Sequence, residues 1–239
     1  MKEKIIKAIT VTAVLLAALA FIVKFGGPQL LRQYISIGIG NCQKIPILCT
    51  TPGSEVMKPQ VDKNLAKDYI PYTFPRMSVS APKGFSVLQE MIKKYYYKKQ
   101  VPKRANAIMH VLYEEKGYFP ELFTEAKKMG IYSNSEFIKR VMYAKPQDVK
   151  NLNDAFFVIM KSIFIPDVGD QKNAIMSRFQ MGDRRGFIIY NLSKSENYFS
   201  CDLVDGSDDY FKVYIRDKGA KLSLDDVFAI ISTLAKTGQ

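Results

Sequence analysis

The stretch from Ala174 to Ile215, AIMSRFQMGDRRGFIIYNLSKSENYFSCDLVDGSDDYFKVYI, decides the fold class of this 239-residue chain. Apolar and β-branched runs at 174–181, 186–192, 198–204 and 210–215 are separated by Gly182-Asp183, by Ser193 to Asn197 and by Asp205-Gly206-Ser207. Breaks of turn-forming residues between strand-length runs are hairpin signals, so the four runs predict an antiparallel meander. Just beyond, Ser223 with Asp226 three residues on has the form of a capping box. It opens a last helix whose Val227, Ile230, Ile231 and Leu234 share one face. A sheet with an apolar face must bury it against another layer. The expected fold is therefore α+β, an antiparallel sheet packed against helices, the C-terminal helix among them.

Upstream of the meander the period is helical. Pro120 to Met129 stops before Gly130, Ser135 to Tyr143 follows a Ser-Asn-Ser capping run, and Pro146 to Phe164 is the longest segment. In it Val149, Leu152, Ala155/Phe156, Ile159/Met160 and Ile163 recur at helical spacing and mark a core-facing stripe. Two more strands are expected before the helices. Met77 to Ala81 turns at Pro82-Lys83-Gly84 into Phe85 to Leu88, and Ala107 to Tyr113 is a more fully apolar run. The folded domain is thus expected over residues 77–239. In residues 26–76, Pro46, Pro52, Gly53, Pro59, Pro71 and Pro75 forbid a long helix and predict a semi-extended tether.

The first 25 residues carry an address. Lys2, Lys4 and Lys7 precede sixteen uncharged, mostly apolar residues from Ala8 to Val23, and Ile5, Ile6 and Phe25 extend the run to about the length that spans a bilayer core. Ala18-Leu19-Ala20 fits a signal peptidase site, and cleavage there would release a secreted protein. Phe21-Ile22-Val23 continue the apolar run past that point, and Lys24 to Pro28 read as an interfacial edge with a helix stop. Residues 1–25 are therefore expected as an uncleaved signal anchor, a single transmembrane helix that puts the domain on the extracytoplasmic side of the cell membrane.

Composition sets the partners. A formal net charge of +12 attracts anionic phospholipid headgroups, acidic glycans or nucleic acid, and export makes nucleic acid the least expected of these. In an oxidising compartment disulfides persist. Cys42 and Cys49 are the expected pair, closing a short loop around Lys44, Ile45 and Pro46, with Cys201 a free buried thiol on a strand. Pairing of either with Cys201 needs a tertiary contact that spacing does not show.

No catalytic, cofactor or metal site is expected. The single histidine, His110, lies in an apolar run and reads as a packed strand residue. Nothing resembles a nucleophile elbow or a phosphate-binding glycine loop. Asp202, Asp205, Asp208 and Asp209 cluster around Gly206 without the spacing of a calcium loop, and read as a solvated turn. Asp183-Arg184-Arg185-Gly186 likewise reads as a charged turn. The candidate contact surface is Lys93, Lys94, Tyr95, Tyr96, Tyr97, Lys98, Lys99, Lys103 and Arg104, where tyrosines suit headgroups or sugar rings and cations attract phosphate or carboxylate.

The Ser80-Ala81-Pro82-Lys83-Gly84-Phe85 corner, the late hairpin strands, and Tyr210 to Ile215 followed by Leu222-Ser223-Leu224 and Val227 to Leu234 together resemble the PsbP-like α/β sandwich family. The likeness covers residues 77–90 and 174–236. It implies a non-catalytic accessory or assembly protein of an exported compartment. The residues themselves lead to a similar expectation: a bacterial-type, single-pass anchored protein whose extracytoplasmic domain binds an envelope protein or an anionic lipid or glycan. The alternative from another class is an envelope hydrolase or transferase with a site assembled from scattered Asp, Ser and Lys.

Overall fold

Turn chemistry places the strands where the punctuation of the sequence puts them, and the computed structural model describes residues 27–38, 41–62, 64–89, 107–165, 171–219 and 221–238. Helix α1 (Gly27–Ile37) comes first, followed by strands β1 (Val56–Met57), β2 (Ile70–Thr73), β3 (Met77–Ala81), β4 (Phe85–Gln89) and β5 (Ala107–Glu114). Helices α2 (Tyr118–Leu122), α3 (Thr124–Lys128), α4 (Asn134–Tyr143) and α5 (Leu152–Phe164) form the middle of the chain. Strands β6 (Ile175–Met181), β7 (Arg184–Asn191), β8 (Glu196–Val204) and β9 (Tyr210–Lys218) make the meander, and helix α6 (Leu224–Ser232) and strand β10 (Ala235–Lys236) complete it. The fold is α+β.

A seven-stranded sheet runs in the order β1-β6-β7-β8-β9-β5-β4. Its five inner strands are antiparallel, while β1 pairs parallel with β6 and β4 parallel with β5, so the sheet is mixed rather than purely antiparallel. A second, antiparallel sheet of β10-β3-β2 lies apart from it in pairing. Both faces of the large sheet are buried. On one, Leu112, Met176, Phe187, Ile189, Val204 and Tyr210 meet Phe119, Phe137, Phe157 and Phe164 of the central helices. On the other, Met109, Val111, Phe199, Cys201, Phe211 and Val213 meet Met77 and Val79 of β3 and Val227, Phe228 and Ile231 of α6. The two helical layers thus sit on opposite faces. Asn197 and every residue from Phe199 to Val204 of β8 are buried, as a strand covered on both sides must be.

Several expectations are corrected. The stretch read as a tether belongs to the fold. Ile47 and Leu48 are buried in the helical core, β1 extends the large sheet, and β2 pairs with β3. Prolines exclude helix, but they are compatible with edge strands and short 3-10 turns, and these are what form. The corner at Pro82-Lys83-Gly84 forms where expected, between β3 and β4, and carries the chain from the small sheet into the large one, with Gly84 at φ 95°.

Two expected helices are interrupted. The first breaks at Phe123, whose ring stacks on Phe137 at 5.5 Å. The segment from Pro146 begins as a 3-10 turn, and α5 starts only after Asn151, whose side-chain oxygen accepts the Asp154 N–H at 3.0 Å. The capping box of Ser223 and Asp226 forms as the spacing predicts.

The transmembrane expectation for residues 1–25 and the basic, tyrosine-rich surface from Lys93 to Arg104 lie outside the described residues. Among the described residues no helix is long and apolar enough to cross a membrane.

Candidate functional site

The aspartates of the β8–β9 turn position helix α4, which borders a groove against the sheet. Asp205 accepts the Ser207 and Asp209 N–H groups and shapes the turn, which holds Asp208 at φ 67°. From there the Asp208 carboxylate accepts the N–H groups of Asn134 and Ser135 at 2.8 and 2.9 Å, satisfying donors that the first turn of a helix leaves open. Asn134 is wholly buried and ties the same point together. Its Nδ2 donates to the carbonyls of Glu115 and Asp208, and its Oδ1 accepts the Phe119 N–H. The start of α4 is pinned to the end of the sheet.

Between α4 and the sheet opens a groove of about 400 Å³. Lys139 and Tyr143, four residues apart on α4, form one wall, and Arg178, Arg185 and Phe187 of β6 and β7 form the other, with Ile138 and Val204 contributing apolar surface. This volume falls within the range of small-molecule or side-chain sites. Gly186 lies along it because nothing larger fits. A Cβ there would stand 2.3 Å from the Asp202 carbonyl oxygen and 2.7 Å from Leu203 Cα, so glycine lets β7 approach β8.

The groove is cationic. Arg178 is partly committed, its guanidinium donating to the Gly53 and Ser54 carbonyls and strapping the chain before β1 to β6. Lys139 and Arg185 are exposed, and neither is engaged in a hydrogen bond or ion pair with another described residue. Glu136 is the exposed carboxylate on this rim, and it accepts the Tyr132 N–H at 3.4 Å. Apolar walls with unpaired cations suit an apolar body carrying an anionic group.

Other polar clusters are structural. Asp202, buried in the sheet, accepts from Tyr210 Oη at 2.5 Å and from Lys212 Nζ at 2.9 Å, and the same ammonium donates to the Phe164 carbonyl in the last turn of α5. This joins the helical layer to the sheet. Arg184 donates to the carbonyls of Ile231 and Leu234 at the end of α6, so the two arginines read together as one charged turn serve opposite faces of the sheet. His110 is not among the groove residues; its ring neighbour is Tyr214, at 5.9 Å between centroids. Cys42 and Cys49 are joined by a disulfide with Cα atoms 5.6 Å apart, and Cys201 is a free thiol in the core, pushed well above its ordinary pKa by burial. Among the described residues no three metal-binding side chains come together, the four aspartates near Gly206 included.

No protein-family model and no curated protein matches this chain.

The likeness to the PsbP-like family therefore stays a resemblance, and the site is read from its own geometry. The sequence reading did not find the groove because its walls come from four separate segments, at Val56, on α4, on the β6–β7 hairpin and at the end of β8. The usable signal was narrow: Lys139 and Tyr143 at helical spacing, and Arg178 and Arg185 on strands that a hairpin must pair.

Proposed function

We propose that this protein is a single-pass, membrane-anchored binding or assembly accessory protein whose extracytoplasmic α+β domain takes an acidic, partly apolar segment of an envelope partner in the groove beneath α4. The observation that carries the reading is the pair of exposed cations, Lys139 and Arg185, on facing walls of a partly apolar cleft, neither engaged by another described residue. Anchoring and export are supported by the apolar run from Ala8 to Val23 behind three lysines and by the Cys42–Cys49 bridge, which belongs to an oxidising compartment. The same charge chemistry would accept a carboxylate-bearing glycan, and competition between acidic peptide and acidic glycan ranks the two.

The groove is tested by charge reversal in the full-length chain. A fluorescent peptide alternating glutamate with leucine is titrated in low and high salt. With Lys139→Glu and Arg185→Glu together, affinity should fall at least about tenfold, near 1.4 kcal/mol, and the salt dependence should flatten. Equal affinity for parent and double variant would remove the groove from the reading. Protease accessibility of the domain in intact cells tests the compartment separately.

A further inference from the structure

On helix α1, Leu30, Tyr34 and Ile37 are 60%, 79% and 68% exposed. At 100° per residue they fall within an arc of about 60°, forming one apolar stripe. The stripe is distinct from the side that holds the helix to the domain. Leu31 and Ile35 pack against Val149, Ala155 and Val158, and Arg32 donates to the Val149 carbonyl at 3.2 Å. Three large apolar side chains in register on the solvent side of an eleven-residue helix cost free energy in water without helping the fold.

The position of this helix in the chain identifies what covers the stripe. Phe25 ends the apolar run that begins at Ile5, and α1 starts two residues later at Gly27. A helix of eleven residues is about 16 Å long, so every member of the stripe lies within roughly that distance of the helix start at Gly27, two residues in sequence after the apolar run. Helices that lie in a bilayer interface carry such a stripe, bury it about 5–10 Å deep, and use tyrosine at headgroup level. The net charge of +12 draws the domain toward anionic headgroups.

We infer that α1 lies in the membrane interface with Leu30, Tyr34 and Ile37 immersed, so that the domain is seated on the bilayer surface instead of being held away from it. This inference rests on the anchor reading of residues 1–25. Its consequence is orientation: a domain docked through α1, itself packed on α5, presents its groove at a fixed attitude to the membrane, where a free tether would let it tumble.

The chain contains no tryptophan, so a single introduced one is an unambiguous probe. Full-length Tyr34→Trp is reconstituted into phosphatidylglycerol–phosphatidylcholine vesicles and compared with Gln29→Trp, which places the same probe on the polar flank of the helix. The indole of the Tyr34→Trp chain should emit to the blue of that in the Gln29→Trp chain. It should also be quenched by lipids brominated along the acyl chain, with the flank probe quenched less. If both chains float with the vesicles while both probes stay water-exposed and unquenched, the docking falls and the anchor stands. If the stripe probe is blue-shifted only at high protein density and bromolipids do not touch it, the stripe is covered by a second copy, and the inference is overturned. If the chains do not float with vesicles at all, the anchor reading itself fails and takes the inference with it.

Discussion

Lys161 on α5 is wholly buried and forms no ion pair with a carboxylate among the described residues; its ammonium donates to the carbonyls of Thr50 at 2.6 Å and Ala144 at 2.9 Å. Burial, with Lys145 adding a smaller repulsion, brings its pKa down to about 8. Below pH 8 the group is charged in both folded and unfolded chains, and the cost of burying that charge stands in full. Between pH 8 and the ordinary lysine value the unfolded chain holds the proton that the folded chain has shed, so this group's contribution to stability rises with pH. A rise on the order of 2–3 kcal/mol between about pH 7.5 and 10.5 is expected in the difference between parent and Lys161→Met, followed by urea unfolding. A pH-independent difference would mean the ammonium is solvated. Gly186 gives a second test at this scale. Gly186→Ala forces β7 from β8 and should cost about 2–4 kcal/mol, read as a lower melting temperature. Neither role was legible beforehand. Lys161 sits in a helical pattern where a lysine reads as solvated, and Gly186 closes a run that reads as a charged turn; the reasons for both lie in segments distant in sequence or on the partner strand.

At the scale of elements, the strands of the meander were legible because short breaks of turn-forming residues leave hairpins as their simplest arrangement. The two-residue strand β1 was not, since its pairing with β6 is fixed by Arg178 holding the Gly53 and Ser54 carbonyls. The groove depends on a similar long-range tie, the Asp208 carboxylate at the start of α4. Asp208→Ala removes the acceptor of two N–H groups and should cost about 1–2 kcal/mol, with faster hydrogen exchange at the Asn134 and Ser135 amides. Asp208→Asn keeps an acceptor and tolerates φ 67°, so it should cost less. Equal loss in both variants would show that both carboxylate oxygens are needed, one for each N–H.

For the whole molecule, the decisive difference from the sequence reading is where the folded unit starts. Proline punctuation between Cys42 and Pro75 looks the same in a tether and in a set of edge strands, because both are extended; only burial separates them. Ile47 and Leu48 are each 1% exposed, and burying two such side chains contributes about 3–6 kcal/mol, a large part of the roughly 5–15 kcal/mol by which a domain is usually stable. The Lys161 ammonium also binds the Thr50 carbonyl, so removing that segment strands a buried charge as well as opening the core. A chain beginning at Met77 should therefore lose its sharp unfolding transition and expose apolar surface to a hydrophobic dye. One beginning at Asn41 keeps the disulfide loop, β1 and β2, and gives up the packing of α1 on Val149, Ala155 and Val158. It should still unfold cooperatively, a few degrees lower. Calorimetry of the two chains separates the alternatives: a cooperative transition in the shorter one would restore the tether, and its absence makes residues 41–76 part of the domain's own core.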